Sequence, residues 1–246
     1  MKNMLGIVCI AISLASYGQD AKEVVRLANE TDRGKTSTSQ FTMKVVRPKW
    51  ERTYTIKSWA KGEELTMALI TAPMKDKGQA FLKRGNDLWN WIPALNRMIK
   101  MPPSMMSQGW MGSDVSNDDI MRQSSLIDDY DHTFEKTETI EDRECWTITL
   151  TPKATANVMW GKIVMWVSKK GYLIIKQEYY DEDGSLVHTE LCSEIKVMSN
   201  REVTSKVEII PAENPNQKTI VIIDAIVFDK PIEDSFFSEQ SMKTLK

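Results

Sequence analysis

The chain has 246 residues, enough for one large domain or two small ones. With 41% hydrophobic and 27% charged residues, it can build a core and still present a charged surface. Its formal net charge of −2 lacks the positive excess that a protein needs to hold nucleic acid by its phosphates, so we expect no nucleic-acid partner.

The first eighteen residues have the form of a secretory signal peptide. Lys2 supplies a positive start, residues 4–15 are almost entirely apolar, and Ser16 and Gly18 are small residues before a cleavage site at Gln19. The apolar run is too short to span a membrane. The sequence therefore predicts a cleaved signal peptide over residues 1–18, export of the mature chain, and a single domain over residues 19–246.

An amphipathic helix is predicted immediately after the cleavage site. Residues 20–32 place Val24 and Ala28, among others, on one side, with Asp20 as the N-cap and Gly34 as the stop. After this helix the hydrophobic pattern changes to period two.

Alternating segments bounded by turn residues indicate antiparallel strands over most of the remaining chain. We predict about a dozen strands in two groups. The strands of the first group begin near residues 41, 54, 65, 79, 88 and 97, and those of the second group begin near residues 132, 145, 162, 172, 186, 203 and 219. The predicted fold class is mainly β, a long antiparallel meander with little helix.

The segment Ser104–Asp119, between the two groups of strands, has neither helical nor strand periodicity. It is rich in apolar side chains, and six of the fifteen methionines fall within residues 98–121. Ser116 precedes Asp119 by three residues, an acidic variant of a capping box, and we predict a short helix from this point. Asp114 is a second candidate for capping it.

Catalytic and metal-binding patterns are not found in the sequence. Neither histidine, His132 or His188, has a metal ligand at a useful spacing, and we expect both at strand surfaces or ends. No nucleophile, zinc-binding or phosphate-binding motif occurs. The sequence therefore predicts no enzyme activity, no metal and no cofactor. Cys145 and Cys192 either pair in an oxidising compartment or are buried free thiols, and both alternatives stay open.

Tryptophan and methionine are the distinctive side chains of the chain. Trp89 and Trp91 face the same side of one short predicted strand. A single meandering sheet has one face that needs a cover or a ligand, and flexible methionine suits a surface that repacks around varied apolar guests. Each of these side chains fits a core on its own, but as a set they favour a hydrophobic cavity for acyl chains.

Six short blocks between residues 59 and 120 occur in an ordered succession. They are Trp59-Ala60-Lys61-Gly62, Ile70-Thr71-Ala72-Pro73, Lys77-Gly78-Gln79-Ala80-Phe81-Leu82, Asp87-Leu88-Trp89-Asn90-Trp91-Ile92-Pro93, Arg97-Met98-Ile99-Lys100 and the segment from Met111 to Ile120. This succession resembles the LolA-like family of outer-membrane lipoprotein-sorting proteins. The signal peptide, the first helix and the strands extend the resemblance over nearly the whole chain.

The resemblance implies an incomplete, unclosed antiparallel β-barrel curled around an apolar cavity, with a few α-helices as lid or plug. It also implies a monomeric periplasmic carrier that takes the acyl chains of lipoproteins or other lipids from an inner-membrane transporter and passes them to an outer-membrane acceptor, without catalysis. The alternative is an envelope sensor or an accessory protein of an RND/MMPL-type lipid exporter, which would use the same cavity. In such carriers a strand arginine holds the lid, and the sequence does not assign it to Arg47, Arg52 or another position.

The candidate ligand-binding residues are apolar side chains of the alternating strands and of the loop. On the strands they are Phe41, Met43, Trp59, Met67, Leu69, Phe81, Trp89, Trp91 and Met98. In the loop, a deformable plug or lid contact is expected from Met105, Met106, Trp110 and Met111, the alternative being a loop packed permanently on the core.

Overall fold

The computed structural model describes residues 20–117, 119, 126–156 and 158–245. The predicted signal peptide and most of the predicted helix after Ser116 lie outside the described residues. Helix α1 spans Ala21–Arg33 and helix α2 spans Glu239–Thr244. Strands β1 to β13 of the described chain span, in order, Thr36–Arg47, Trp50–Lys61, Leu65–Ala72, Ala80–Arg84, Asp87–Ile92, Arg97–Lys100, Tyr130–Ile140, Arg143–Pro152, Lys162–Ser168, Ile174–Tyr180, Leu186–Met198, Arg201–Pro211 and Lys218–Phe228.

These strands form one antiparallel sheet in the order β6-β5-β4-β3-β2-β1-β13-β12-β11-β10-β9-β8-β7. The first meander, β1–β6, and the second meander, β7–β13, join where β1 pairs with β13, with Met43 opposite Val221. Strands β6 and β7 are the two edges, so the sheet is not closed into a barrel. The predicted mainly β fold with a single unclosed antiparallel sheet is confirmed, while the single-domain boundary at residues 19–246 stays a prediction.

Helix α1 covers part of the second meander. The side chain of Asp20 accepts a hydrogen bond from the backbone N–H of Lys22, which caps the helix start, and Gly34 ends the helix with a φ of 64°. Val24 and Val25 are fully buried in a cluster with side chains of β7, β8 and β9. Burial of each is worth roughly 1.5–3 kcal/mol. Neither helix of the described residues is long and apolar enough to cross a membrane.

The first meander carries apolar side chains on both of its faces. Its inner face includes Met43, Ile56, Ile70 and Phe81, which belong to one buried cluster. The register explains this grouping, because Ile56 lies opposite Ile70 and residues opposite each other in a ladder share a face.

The outer face of the first meander is covered by the C-terminal segment, residues 232–245. Met67 and Leu82 lie opposite each other on this face. They pack in one cluster with Phe237 and Met242 of the C-terminal segment, which are 0% and 1% exposed. The meander therefore forms a layer between this segment and the interior.

Cys145 and Cys192 are buried free thiols, which resolves the alternatives left open by the sequence. They lie on β8 and β11, with β9 and β10 between them. Three strand spacings amount to about 14 Å, whereas a disulfide needs Cα atoms within about 7 Å.

Candidate functional site

Two adjoining cavities lie on the inner side of the sheet. The first cavity has a volume of about 310 Å³ and is lined by β1 to β5, β13, the end of α1 and Trp110. The second cavity has a volume of about 240 Å³ and is lined mainly by β10 to β13 and by residues near Asp119 and Trp160. Asp32 and Val221 line both, so the cavities meet at the C-terminal end of α1.

The first cavity is apolar over most of its length. Its apolar lining consists of Phe41, Ala60, Ala68, Phe81, Leu88, Trp110, Val221, Ile223 and Ile226. A volume of this size lies at the lower end of the range for small-molecule sites, which are typically apolar with a few polar groups.

The methionine-rich loop covers the apolar part of the first cavity. Trp110, 7% exposed, packs edge to face on Phe81 with ring centroids 5.2 Å apart. Met106 and Met111 pack against the same inner-face cluster. Within the described part of the chain, the indole N–H of Trp110 has no hydrogen-bond partner. The apolar character of this loop is thus explained by its contact with the cavity face.

Arg47, at the end of β1, fixes the loop to the sheet. Its guanidinium donates to both carboxylate oxygens of Asp114, at 3.0 and 2.9 Å, and to the carbonyl oxygen of Gly112 at 2.9 Å. Asp114 also forms two hydrogen bonds with Thr219 of β13. The Thr219 hydroxyl donates to Oδ2 of Asp114 at 2.7 Å, and the backbone N–H of Asp114 donates to the Thr219 hydroxyl oxygen at 2.9 Å. The side chains of Arg47 and Asp114 are only 14% and 10% exposed, so water competes weakly with this ion pair.

These contacts show the bonding of Asp114 and of the two arginines that the sequence left unassigned. Asp114 does not cap the following helix, because its carboxylate is held by Arg47 and Thr219. Of the two arginines considered, Arg47 contacts the loop, whereas the guanidinium of Arg52 lies over the Trp50 ring at 4.8 Å.

The capping box predicted at Ser116 is present. The hydroxyl and the backbone N–H of Ser116 both donate to Oδ2 of Asp119, and the backbone N–H of Asp119 donates back to the Ser116 hydroxyl. Oδ1 of Asp119 accepts from the Trp160 indole at 2.8 Å, which ties the helix start to the second cavity.

The predicted ligand-binding residues divide between the two faces of the first meander. Phe41, Phe81 and Trp110 line the first cavity, and the inner-face cluster beside it contains Met43, Met106 and Met111. Met105 is half-buried, and its carbonyl oxygen accepts from the Asn117 side chain.

The other six residues line neither cavity, which corrects the expectation made for them. The outer-face cluster under the C-terminal segment contains Trp59, Met67, Leu69, Trp89, Trp91 and Met98. The reason is register: Met67 lies opposite Trp59, and the inner face of β3 is formed by the alternate set Thr66, Ala68 and Ile70.

Sequence reasoning missed a polar end of the first cavity. This end carries Asp32 and Arg33 from α1, Lys83 from β4, and the hydroxyl residues Ser37, Ser39, Ser58 and Thr66. One signal for it is in the sequence, because Lys83 follows Phe81 by two residues and therefore shares its face.

Burial shapes the electrostatics of this polar end. Lys83 is 3% exposed and its ammonium donates to the carbonyl oxygen of Glu63 at 2.6 Å. Desolvation lowers the pKa of Lys83 to about 8, and the neighbouring charge of Arg33 adds to the decrease. Burial also lowers the pKa of Arg33 and raises the pKa of Asp32, which borders both cavities. The opposite charge of each side chain works against these shifts, because it favours the charged form of the other.

The histidines give no sign of a catalytic or metal centre. His188 is buried and stacks on Tyr179 with ring centroids 4.4 Å apart. It is the third residue of β11, so of the two expected places it lies near a strand end and not at the surface. The ring Nε2 of His132 is hydrogen-bonded to the carbonyl oxygen of Leu126 at 2.8 Å. Among the residues that the structure describes, no three His, Cys, Asp or Glu side chains are grouped to hold a metal ion.

Comparison with solved structures identifies the fold. A DUF1329 family protein from Desulfovibrio piger has a TM-score of 0.80 and 21% identity, covering 92% of this chain and 100% of its own. A domain from Vibrio parahaemolyticus, described as an outer membrane lipoprotein-sorting protein domain, has a TM-score of 0.78 and 19% identity. The match covers 91% of this chain and 98% of that domain. A LolA superfamily protein from Nitrosomonas europaea has a TM-score of 0.76 and 22% identity, covering 91% and 100%. The resemblance to LolA-like proteins is thus confirmed as a likeness of fold.

Comparison with sequence families gives one match. A family model with the description "-like: Uncharacterized protein" matches residues 62–244. No curated protein matches the chain.

Proposed function

The chain belongs to the uncharacterized protein family whose model spans residues 62–244, and from its LolA-like fold and cavities we propose that it is a periplasmic carrier for lipid. It binds the acyl chains of lipoproteins or other lipids and delivers them towards the outer membrane without catalysis. The observation that carries this proposal is the first cavity, an apolar space lined by Phe41 and Phe81 and covered by Trp110.

The energetics of burial define how such a carrier has to work. Each CH₂ group moved from water into the cavity contributes about 0.8 kcal/mol, so a chain of about twelve groups contributes roughly 10 kcal/mol. Spontaneous release into water would be slow at that affinity. Loading and delivery therefore require direct transfer from a donor and to an acceptor, with a cover that opens at each step.

The loop anchored by Arg47 is the cover in this proposal. Its contacts with the cavity face are apolar and adaptable, through Met106 and Met111. Its anchor is polar and local, through the Arg47–Asp114 pair. A lipid that displaces the apolar contacts, or a partner that competes for the ion pair, would release the loop.

The test uses two neighbouring residues that point to opposite faces. Phe81 lines the cavity, and Leu82 lies in the outer-face cluster. We expect lipid extracted from the purified protein to be detected by mass spectrometry, and we expect uptake of a fluorescent fatty acid. Phe81→Ala should change uptake at least fivefold, whereas Leu82→Ala, at a comparable loss of stability of about 2–5 kcal/mol, should leave uptake unchanged.

Two results would contradict the proposal. One is the reproducible absence of both bound lipid and fatty-acid uptake in the wild-type protein. The other is an equal effect of the two variants, because that would trace the change in uptake to stability and not to the cavity.

A further inference from the structure

The second cavity has an acidic lining. It includes the carboxylates of Asp32, Asp119 and Glu190, and within the described part of the chain it includes no lysine, arginine or histidine. Two basic side chains lie close behind it: the charge of Arg33 acts on Asp32, and Nε2 of His188 lies 3.7 Å from Oε1 of Glu190. Arg33 thus balances Asp32, and His188 adds charge only when it is protonated. The excess of negative charge therefore rests on Glu190 and Asp119.

Gln177 of β10 brings an acceptor without a donor to the same cavity. It lies opposite Glu190 of β11 and is 8% exposed. Its Nε2 donates to Oε2 of Glu190 at 2.8 Å, so the carboxylate fixes which side of the amide carries the oxygen. Within the described residues, Oε1 of Gln177 has no hydrogen-bond partner. A buried amide oxygen in this state is costly, and an N–H group of a ligand would satisfy it.

Two neutral groups of the lining respond to the negative charge. Burial raises the pKa of Tyr179 well above its ordinary value, and the charges of Glu190 and Asp119 add to the increase. Burial likewise raises the pKa of the Cys192 thiol, again with a contribution from Glu190. A place that disfavours a further negative charge in this way favours a positive one.

Aromatic rings complete the lining. Trp160 and Tyr179 both border the cavity and pack edge to face with ring centroids 5.3 Å apart. The face of an aromatic ring attracts an ammonium group, and a carboxylate forms charge-assisted hydrogen bonds with it. Among the described residues no three acidic, histidine or cysteine side chains are grouped to hold a metal ion. An organic cation with N–H donors therefore fits the lining better than a metal ion does.

We propose that the second cavity binds a primary ammonium group, with Glu190 as its counter-ion and Oε1 of Gln177 as an acceptor, while the first cavity holds the chain attached to it. Asp32 and Val221 line both cavities, so one amphiphile can reach both. This deepens the proposed carrier function and rests on it. Among lipids, the cavity selects a head that carries an amine over a neutral head on the same chain.

The experiment compares probes that separate the head from the chain. Binding of octylamine, 1-octanol and butylamine to the purified protein is measured by isothermal titration calorimetry at neutral pH. Octylamine and octanol share a chain, whereas octylamine and butylamine share a head. The same titrations are made with Glu190→Gln, which removes the charge and keeps the shape. Glu178→Gln is the matched control, because Glu178 follows Gln177 directly and therefore lies on the other face of β10.

We expect the wild-type protein to bind octylamine about tenfold or more tightly than octanol, since a hydrogen bond to a charged group is worth at least that factor. Glu190→Gln should reduce the affinity for octylamine about tenfold and leave that for octanol unchanged. Glu178→Gln should match the wild type with both probes. Should Glu190→Gln fail to fold, Gln177→Met is measured in its place, and a loss confined to the amine is again expected.

Equal affinity of the wild-type protein for octylamine and octanol would overturn the inference, and so would an equal loss of both in Glu190→Gln. Butylamine bound as tightly as octylamine would identify a free small amine as the ligand and overturn the placement of a chain in the first cavity. Uptake of a fluorescent fatty acid without binding of octylamine would overturn the inference and leave the carrier function intact. The absence of both would refute the carrier function itself.

Discussion

Lys83 carries a charge that folding disfavours. It is buried beside Arg33, and its pKa is lowered from 10.5 to about 8. In the unfolded chain the amine regains water and the ordinary pKa of a lysine. Between pH 8 and pH 10.5 the unfolded chain therefore holds a proton that the folded protein has released. The free energy of unfolding rises with pH across this window, because the unfolded state binds more protons there.

We predict that Lys83→Met removes this rise. From pH 7 to pH 10.5 the wild-type protein should gain about 2–3 kcal/mol relative to the variant, as expected when the pKa is lowered from 10.5 to about 8 at about 1.4 kcal/mol per pKa unit. Urea unfolding of both proteins at several pH values measures the difference.

Lys57→Met serves as the control for this prediction, since Lys57 lies on the other face and is only partly buried. It should keep the wild-type pH dependence. Parallel pH profiles for wild type and Lys83→Met would contradict the assignment of the titration to Lys83.

Among the elements, the C-terminal segment determines which face of the first meander is available to a ligand. Phe236 packs on Trp59 with ring centroids 5.3 Å apart. Ser238 is the N-cap of α2, and its hydroxyl oxygen accepts from the backbone N–H of Ser241. Met242 of α2 is buried on the same face. The segment thus converts one apolar face into a core and leaves the other face to the cavities.

We predict that Phe237→Ala destabilises the protein by about 3–5 kcal/mol, the usual cost of emptying a fully buried aromatic site. The cavity lies on the opposite face, so in the folded fraction the affinity for a fluorescent fatty acid should stay within about twofold, or about 0.4 kcal/mol. Urea unfolding and a binding titration measure the two quantities. A large loss of affinity in the folded variant would mean that the two faces are coupled.

The strands were predictable from the sequence and the choice of face was not. Period-two alternation, interrupted by turn residues, identifies the strands by local chemistry. It separates Met67 and Leu69 from Ala68 and Ile70, but it does not say which set meets the cavity. That depends on Phe237, about 170 residues further along the chain and outside any local pattern.

The polar end escaped prediction for a different reason. A lysine in a strand is normally solvated. The spacing of two residues places Lys83 on the face of Phe81, but it does not show that this face is buried. The cations and hydroxyls are brought together by the fold. The register places Thr66 opposite Lys83, and the C-terminal end of α1 lines the same cavity. Arg47 and Asp114 are likewise 67 residues apart in sequence, and only the fold makes them partners.

On the scale of the whole molecule, the loop is attached where the two meanders meet. Asp114 bonds Arg47 of β1 and Thr219 of β13, the two strands whose pairing joins the sheet. The loop also closes on itself, because the backbone N–H of Trp110 donates to the Val115 carbonyl oxygen at 2.7 Å and Gly109 pairs with Ser116. Among the described residues, its polar attachments to the rest of the protein are the bonds of Asp114 to Arg47 and Thr219 and the bond that Asp119 accepts from Trp160.

We predict that locking this anchor stops lipid exchange. In a background with Cys145→Ala and Cys192→Ala, the pair Asp114→Cys and Thr219→Cys can be oxidised to a disulfide. The two positions are adjacent, because the side chains of Asp114 and Thr219 are hydrogen-bonded at 2.7 Å. The reduced protein has lost the ion pair, worth about 1.5–3 kcal/mol, and should take up fluorescent fatty acid faster than its parent. Oxidation should slow uptake at least tenfold, since the loop can then no longer leave the cavity, and a reductant should restore it. Asp114→Cys alone, treated with the same oxidant, controls for the oxidant itself. Equal uptake by the oxidised and reduced pair would mean that the loop is a permanent part of the core and that lipid enters elsewhere.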